Sequence, residues 1–203
     1  MKKLILAFLL ALPLTLLAES QQQTIQRISA AAAQLKTMQG DFTQTKYMKM
    51  LGDKMVSKGK MYYQQSDKLR WEYTTPYTYT FIMNGNKVLL KKNNRKDVID
   101  VKQNKMFREI AQIILGSVVG KCLTDTKQFK ASIAETKAAY VATLLPQSKN
   151  LKQMYKKIVL EFDHQTLMVE KVTMYEKNGD YTVIDMRNIK KNASVNASVF
   201  SIN

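Results

Sequence analysis

The hydrophobic period of this chain changes three times. In Gln22–Met38 the apolar residues Ile25, Ile28, Ala32 and Leu35 recur at i, i+3, i+7 and i+10, which marks one face of a helix. Ser20 stands where a capping residue belongs, and Gly40 is the stop. From Phe42 the period drops to two. Phe42–Met50, Met55–Gln64, Lys68–Thr75, Tyr77–Met83 and Lys87–Lys92 are rich in Tyr, Thr, Phe, Met and Val, the residues that suit a half-buried pleated surface. Asn84-Gly85 is a hairpin signal, because both residues tolerate positive φ. Asp97–Val101 reads as one more short strand. Helical spacing returns over Gln103–Leu115, where Met106, Ile110, Ile113 and Ile114 form a stripe with Phe107 beside it. Strands then resume at 129–135, 139–145, 154–163, 167–177, 180–190 and near Val199–Ile202, with turns at Asp163-His164-Gln165 and Asn178-Gly179-Asp180.

Adjacent strands with tight turns pair antiparallel. The expectation is therefore a mainly β protein with helices (α+β). A strongly curved antiparallel sheet wrapped around the two helices is the economical way to bury one face of so many strands. Only seven glycines and three prolines occur, and no linker or fixed-period repeat divides the chain. One domain over 19–203 suits about 185 residues.

The first eighteen residues have another purpose. Lys2 and Lys3 precede an apolar run, Leu4–Leu17, interrupted only by Pro13 and Thr15, and Ala18 offers a small residue at a cleavage edge. The run is shorter than the roughly 20 residues that span a bilayer. It has the flanks of a secretory signal peptide, removed near Ala18. The lone cysteine, Cys122, is far from this edge, so nothing there accepts a lipid anchor, and the expected product is soluble and exported. One cysteine makes no internal disulfide, and Cys122 reads as a small buried apolar residue.

Composition narrows the partners. The formal charge is +16, and loss of Lys2 and Lys3 leaves about +14. Such a balance often means nucleic acid, but export argues against it. Anionic headgroups, acidic glycans and transient contact with membrane surfaces are what a basic exported protein meets. Catalytic patterns are missing. His164, the single histidine, falls in a turn, and there is no nucleophile elbow, phosphate loop or metal-ligand cluster. Glu161, Glu170 and Asp185 lie among lysines on strands and read as cross-strand ion partners. The expectation is no enzyme, no cofactor and no metal.

What remains is apolar and aromatic. Leu69, Trp71 and Tyr73 share one strand face, Met61 and Tyr63 share a face of the strand before, and Lys58, Lys60, Lys68 and Arg70 occupy the polar faces. Large rings and adaptable methionines on a concave face either form an ordinary core or bind a long greasy ligand. The series Asp41-Phe42-Thr43-Gln44, Gly59-x-Met61, Leu69-Arg70-Trp71-Glu72-Tyr73-x-x-Pro76, Asn84-Gly85-x-Lys87-Val88, Asn150-Leu151-Lys152 and Phe200-Ser201-Ile202 resembles the periplasmic outer-membrane lipoprotein carrier family, LolA, over nearly the whole chain after residue 18.

The resemblance implies an incomplete barrel with helices at its mouth. It also implies a periplasmic monomer that takes an acylated lipoprotein from an inner-membrane ABC exporter, shields its acyl chains and delivers it to an outer-membrane acceptor. The acyl-chain cavity would be lined by Phe42, Met61, Tyr63, Leu69, Trp71, Tyr73, Tyr79 and Phe81. The lid helix would carry Met106, Phe107, Ile110, Ile113 and Ile114. The family's Arg-Pro pair before the aromatic strand is replaced by Gln65-Ser66, and Lys68 and Arg70 are the basic candidates for the rim. Two other readings stand beside it: a carrier or sensor of another envelope lipid or glycolipid, and a basic periplasmic adaptor without lipid cargo.

Overall fold

Tight turns set the topology. Asn84-Gly85, with Gly85 at φ +62°, joins β4 (Tyr79–Asn84) to β5 (Lys87–Lys92), Gly52 (φ +61°) serves the hairpin that follows β1 (Thr37–Met48), and Gly179 (φ +97°) serves the turn at Asn178-Gly179-Asp180. In the computed structural model, residues 20–65, 67–103, 115–116 and 120–202 are described. The segment Met1–Ala18, Ser66 and the lid stripe Met106, Phe107, Ile110, Ile113 and Ile114 lie outside the described residues.

Among the described residues, eleven antiparallel strands form one sheet in the order β6-β5-β4-β3-β2-β1-β11-β10-β9-β8-β7. The remaining strands are β2 (Asp53–Gln64), β3 (Lys68–Thr75), β6 (Arg95–Asp100), β7 (Phe129–Glu135), β8 (Tyr140–Pro146), β9 (Tyr155–Phe162), β10 (Val169–Glu176) and β11 (Tyr181–Lys191). Two meanders, β1–β6 and β7–β11, are joined along β1 and β11, where Phe42 faces Met186. β6 and β7 are left as edges, so the sheet is open.

Helix α1 (Gln21–Ala33) links the two halves. Its start is fixed by a capping box, in which Ser20 Oγ accepts from Gln23 N (3.3 Å) and Gln23 Oε1 accepts from Ser20 N (2.8 Å). Ile25 and Ile28 enter the apolar cluster under β7–β10, whereas Ala32 and Leu35 enter the one under β1–β5. The helix ends five residues before the expected Met38. Thr37 already pairs with Gln64, and Gln65 N–H donates to the Lys36 carbonyl (2.7 Å), which draws the chain into β1. Met38 is still fully buried, but from the strand.

At the other end of the chain one element is new and one expectation is corrected. A short helix, α2 (Lys149–Met154), precedes β9 and buries Leu151. Val199–Ile202 forms no strand: Ala197–Phe200 is a 3-10 turn on the outer face of the sheet. There Phe200, 1% exposed, packs with Ile82 and Leu89. The Arg70 guanidinium donates to the Val199 carbonyl (3.3 Å), and Asn84 Nδ2 donates to the Phe200 carbonyl (3.1 Å).

Candidate functional site

Side chains opposite each other on paired strands share a face, so register locates the aromatic residues. One row runs Gly40, Met61, Trp71, Phe81, Leu90 across β1–β5; the next runs Met38, Tyr63, Leu69, Met83, Val88; a third runs Phe42, Gly59, Tyr73, Tyr79. All eight cavity residues expected from the sequence thus stand on one inner face. Phe42, Met61, Tyr63 and Leu69 are at most 1% exposed, and Trp71 is buried at 8%. Tyr73, Tyr79, Phe81 and Leu90 remain half-buried. The face is therefore a dry floor with a partly open margin on β3–β5.

The floor is held by ring geometry. Phe42 stacks on Trp71 (centroids 4.2 Å apart, planes at 27°) and meets Tyr73 edge-on (5.2 Å, 86°). Phe42 lies across Gly59, which has no side chain to hold it off. The Tyr73 hydroxyl donates to Gln44 Oε1 (3.0 Å), so its polar end is satisfied at the edge of the apolar patch. Gln44, Met38, Met83, Val88, Leu90 and Met186 belong to this face beyond the eight cavity candidates. Strand parity relative to Trp71 was the signal that would have found most of them.

Burial pushes the Tyr73 hydroxyl up to about 12, with Tyr77 adding to the effect, and burial also raises Tyr63, Tyr79 and Tyr155. The sign is fixed by linkage. A hydroxyl that ionises later in the folded state contributes its full stability below pH 10 and loses it as pH climbs from 10 to 12. The melting temperature is expected to stay level up to about pH 10 and then fall. Tyr73→Phe should soften that fall, as read by thermal unfolding beside the 295 nm tyrosinate titration.

The basic rim candidates are on the other side of the sheet. Arg70 and Lys68 alternate with Leu69 and Trp71, so they point outward; Arg70 Nε binds Glu72 Oε2 (2.9 Å) and its guanidinium holds the C-terminal turn. Register puts three described cations on the inner face of β1–β6: Lys92, opposite Tyr79 and exposed, Arg95 opposite Lys92, and Lys46 two residues beyond Gln44. Gln65 ties the end of α1, its side-chain amide donating to the Ala33 carbonyl (3.4 Å). On the outer face of β9–β11, Lys171 lies 3.6 Å from Glu161 and 4.0 Å from Asp185. His164 sits in the β9–β10 turn, edge-on to Tyr140 (4.6 Å) and 3.8 Å from Glu135. Cys122 is buried among the residues under β7–β10.

No described helix is long and apolar enough to cross a membrane. The family model for the outer membrane lipoprotein carrier protein LolA matches residues 33–203. An outer-membrane lipoprotein carrier protein of Chromohalobacter salexigens is 25% identical over 194 residues, which is 95% of this chain and 87% of that protein. Among solved structures, MucB superposes with a TM-score of 0.53 at 12% identity, over 89% of this chain and 62% of that one. A LolA superfamily protein of Nitrosomonas europaea gives 0.48 at 10% identity, over 91% of this chain and 98% of that one.

Proposed function

The chain belongs to the outer-membrane lipoprotein carrier family, LolA, and we propose that it is a periplasmic carrier that shields the acyl chains of lipoproteins between the inner and outer membranes. The observation that carries this reading is the inner face of β1–β5. Its floor is apolar and dry, and its margin, made of Tyr73, Tyr79, Phe81 and Leu90, is only half covered. Each methylene an acyl chain buries there is worth about 0.8 kcal/mol, so a few chains suffice for tight retention without a charged contact. The signal-like segment Met1–Ala18 supports export. In this reading an inner-membrane ABC exporter loads the protein and an outer-membrane acceptor unloads it. Binding rests on non-directional burial, so cargo moves when the acceptor covers more of its apolar surface than the carrier does.

One observation favours a second reading, a carrier of another envelope lipid. Gln65 stands where the family places its arginine, and it is engaged in tying α1 to β2. The lipoprotein reading is tested with a synthetic triacylated lipopeptide. Phe81 and Leu90 face each other across β4 and β5 on the half-buried margin, so Phe81→Asp with Leu90→Asp sets two carboxylates where an acyl chain would lie. Affinity is expected to fall about tenfold or more, the cost of desolvating charge against hydrocarbon, with circular dichroism unchanged. Undiminished lipopeptide binding by the double variant would overturn the assignment. Mass spectrometry of lipid co-purified with the unaltered protein separates the two cargo classes.

A further inference from the structure

The large apolar side chains exposed to solvent are not scattered. Among the described residues there are eight, and five of them, Met50, Leu51, Met55, Val56 and Met154, lie along one rim of the sheet. That rim holds the C-terminal end of β1, the N-terminal end of β2, and the matching ends of β3, β9, β10 and β11. Its apex is the β1–β2 hairpin, where Met50 is 96% exposed and Leu51 69%, with Met55 and Val56 exposed just behind. Met154 is exposed further along the same rim.

The hairpin is built to hold these residues out. Leu51 N–H donates to the Met48 carbonyl (3.2 Å), and Lys49 N–H donates to Asp180 Oδ1 (2.9 Å), which pins the tip to the β10–β11 turn. The Lys49 side chain lies across Gly179, so close that a Cβ there would come within 2.7 Å of it. Behind the tip stands an aromatic base: Tyr47 stacks on Tyr181 (4.4 Å, 15°) and Tyr181 on Tyr175 (5.8 Å, 26°). Lys157 covers the Tyr175 ring at 4.8 Å.

The charge on this rim is basic. Lys49, Lys54, Lys156, Lys157 and Lys177 surround the tip and its base. The acids beside them are fewer: Asp180 and Asp53, which accept from the backbone N–H groups of Lys49 and Lys54, and Glu176, which pairs with Lys46 (3.2 Å). Unbranched and branched aliphatic tips, then tyrosines, then lysines is the order of environments met on leaving a bilayer: hydrocarbon boundary, interface, anionic headgroups. A large exposed apolar patch with such a margin marks an interaction surface, and the lysines select its chemistry.

We propose that this rim docks the protein on anionic phospholipid bilayers, with Met50 and Leu51 entering the interface and the lysines engaging headgroups. The site is separate from the acyl-chain face, which opens on β3–β5. The test is cosedimentation of the purified protein with vesicles of phosphatidylethanolamine and phosphatidylglycerol, against vesicles of phosphatidylcholine alone. Binding is expected to the anionic vesicles, weakening as salt rises through 0.5 M. Met50→Glu with Leu51→Glu is expected to reduce it about 30-fold, with the melting temperature unchanged because both side chains are exposed. A Leu51→Trp variant should shift its emission to the blue on binding and be quenched by brominated lipid. Phe81→Asp with Leu90→Asp should bind vesicles as the unaltered protein does, which keeps this inference apart from cargo binding. Vesicle binding retained by the Met50/Leu51 variant, equal binding to neutral vesicles, or no binding by the unaltered protein would each overturn it. So would sedimentation velocity showing a dimer that the same variant dissolves, since the occupant would then be a second copy.

Discussion

Replacing Gly59 with alanine is expected to destabilise the protein by about 3 kcal/mol, the upper end for overpacking a well-filled core, and to lower the melting temperature by about 10 °C for a chain of this size. The reason is a collision on two sides. A Cβ at Gly59 would lie 2.5 Å from Phe42 Cζ and closer still to the carbonyl oxygen of Glu72. The ring is the end of a side chain, but the carbonyl belongs to β3 and is fixed by the ladder around the bulge at Lys58/Gly59. Phe42→Leu in the same molecule should therefore recover only part of the loss. Full recovery would show that the ring alone demands the glycine, and thermal unfolding of the two single variants and the double one decides it.

Phe42→Ala and Trp71→Ala are each expected to cost 3–5 kcal/mol, roughly the penalty for deleting a buried ring and leaving its cavity. The two are not independent. Their rings stack at 4.2 Å, and such a pair is worth roughly 1 kcal/mol beyond the area it buries. The double variant should thus cost about 1 kcal/mol less than the two singles together, a difference that urea unfolding resolves. Strict additivity would mean that the rings fill space separately and that the floor is an ordinary core. A positive coupling makes the stack a single slab beneath the half-buried margin of Phe81 and Leu90.

Much of this arrangement could be read from the residues. Alternation placed the strands from Lys68–Thr75 through Lys87–Lys92 at or within two residues of their true ends, because one face of each is buried and the period of two is then enforced by packing. It failed where apolar spacing crosses a junction. Leu35 and Met38 are three apart as in a helix, yet Leu35 follows α1 and Met38 sits in β1, both buried in the same cluster. Val199-Phe200-Ser201-Ile202 is too short to distinguish a strand from a turn, and its apolar residues serve a contact on the outside of β4–β5. Arg70 was named for the rim on chemistry, although its position between Leu69 and Trp71 already turned it outward. Lys92, two residues beyond Leu90, is a cation that the same parity turns inward. The glycine at 59 was visible in the motif, but its cause was not: the ring that crosses it comes from seventeen positions earlier, and only the β1–β2 register brings them together.

The two unpaired edges, β6 and β7, have a consequence for what can be carried. A closed barrel has a girth fixed by its number of strands and their stagger; a sheet with a free seam does not. Small changes of twist, shared among eleven strands, alter the width of the enclosed space without breaking a ladder hydrogen bond. Under the carrier reading proposed above, one chain then accommodates guests of unequal bulk while the contacts along each strand stay as they are. The charged residues Arg95, Lys96 and Asp97 on β6 and Lys130 on β7 keep that seam from being sealed by another molecule's strand.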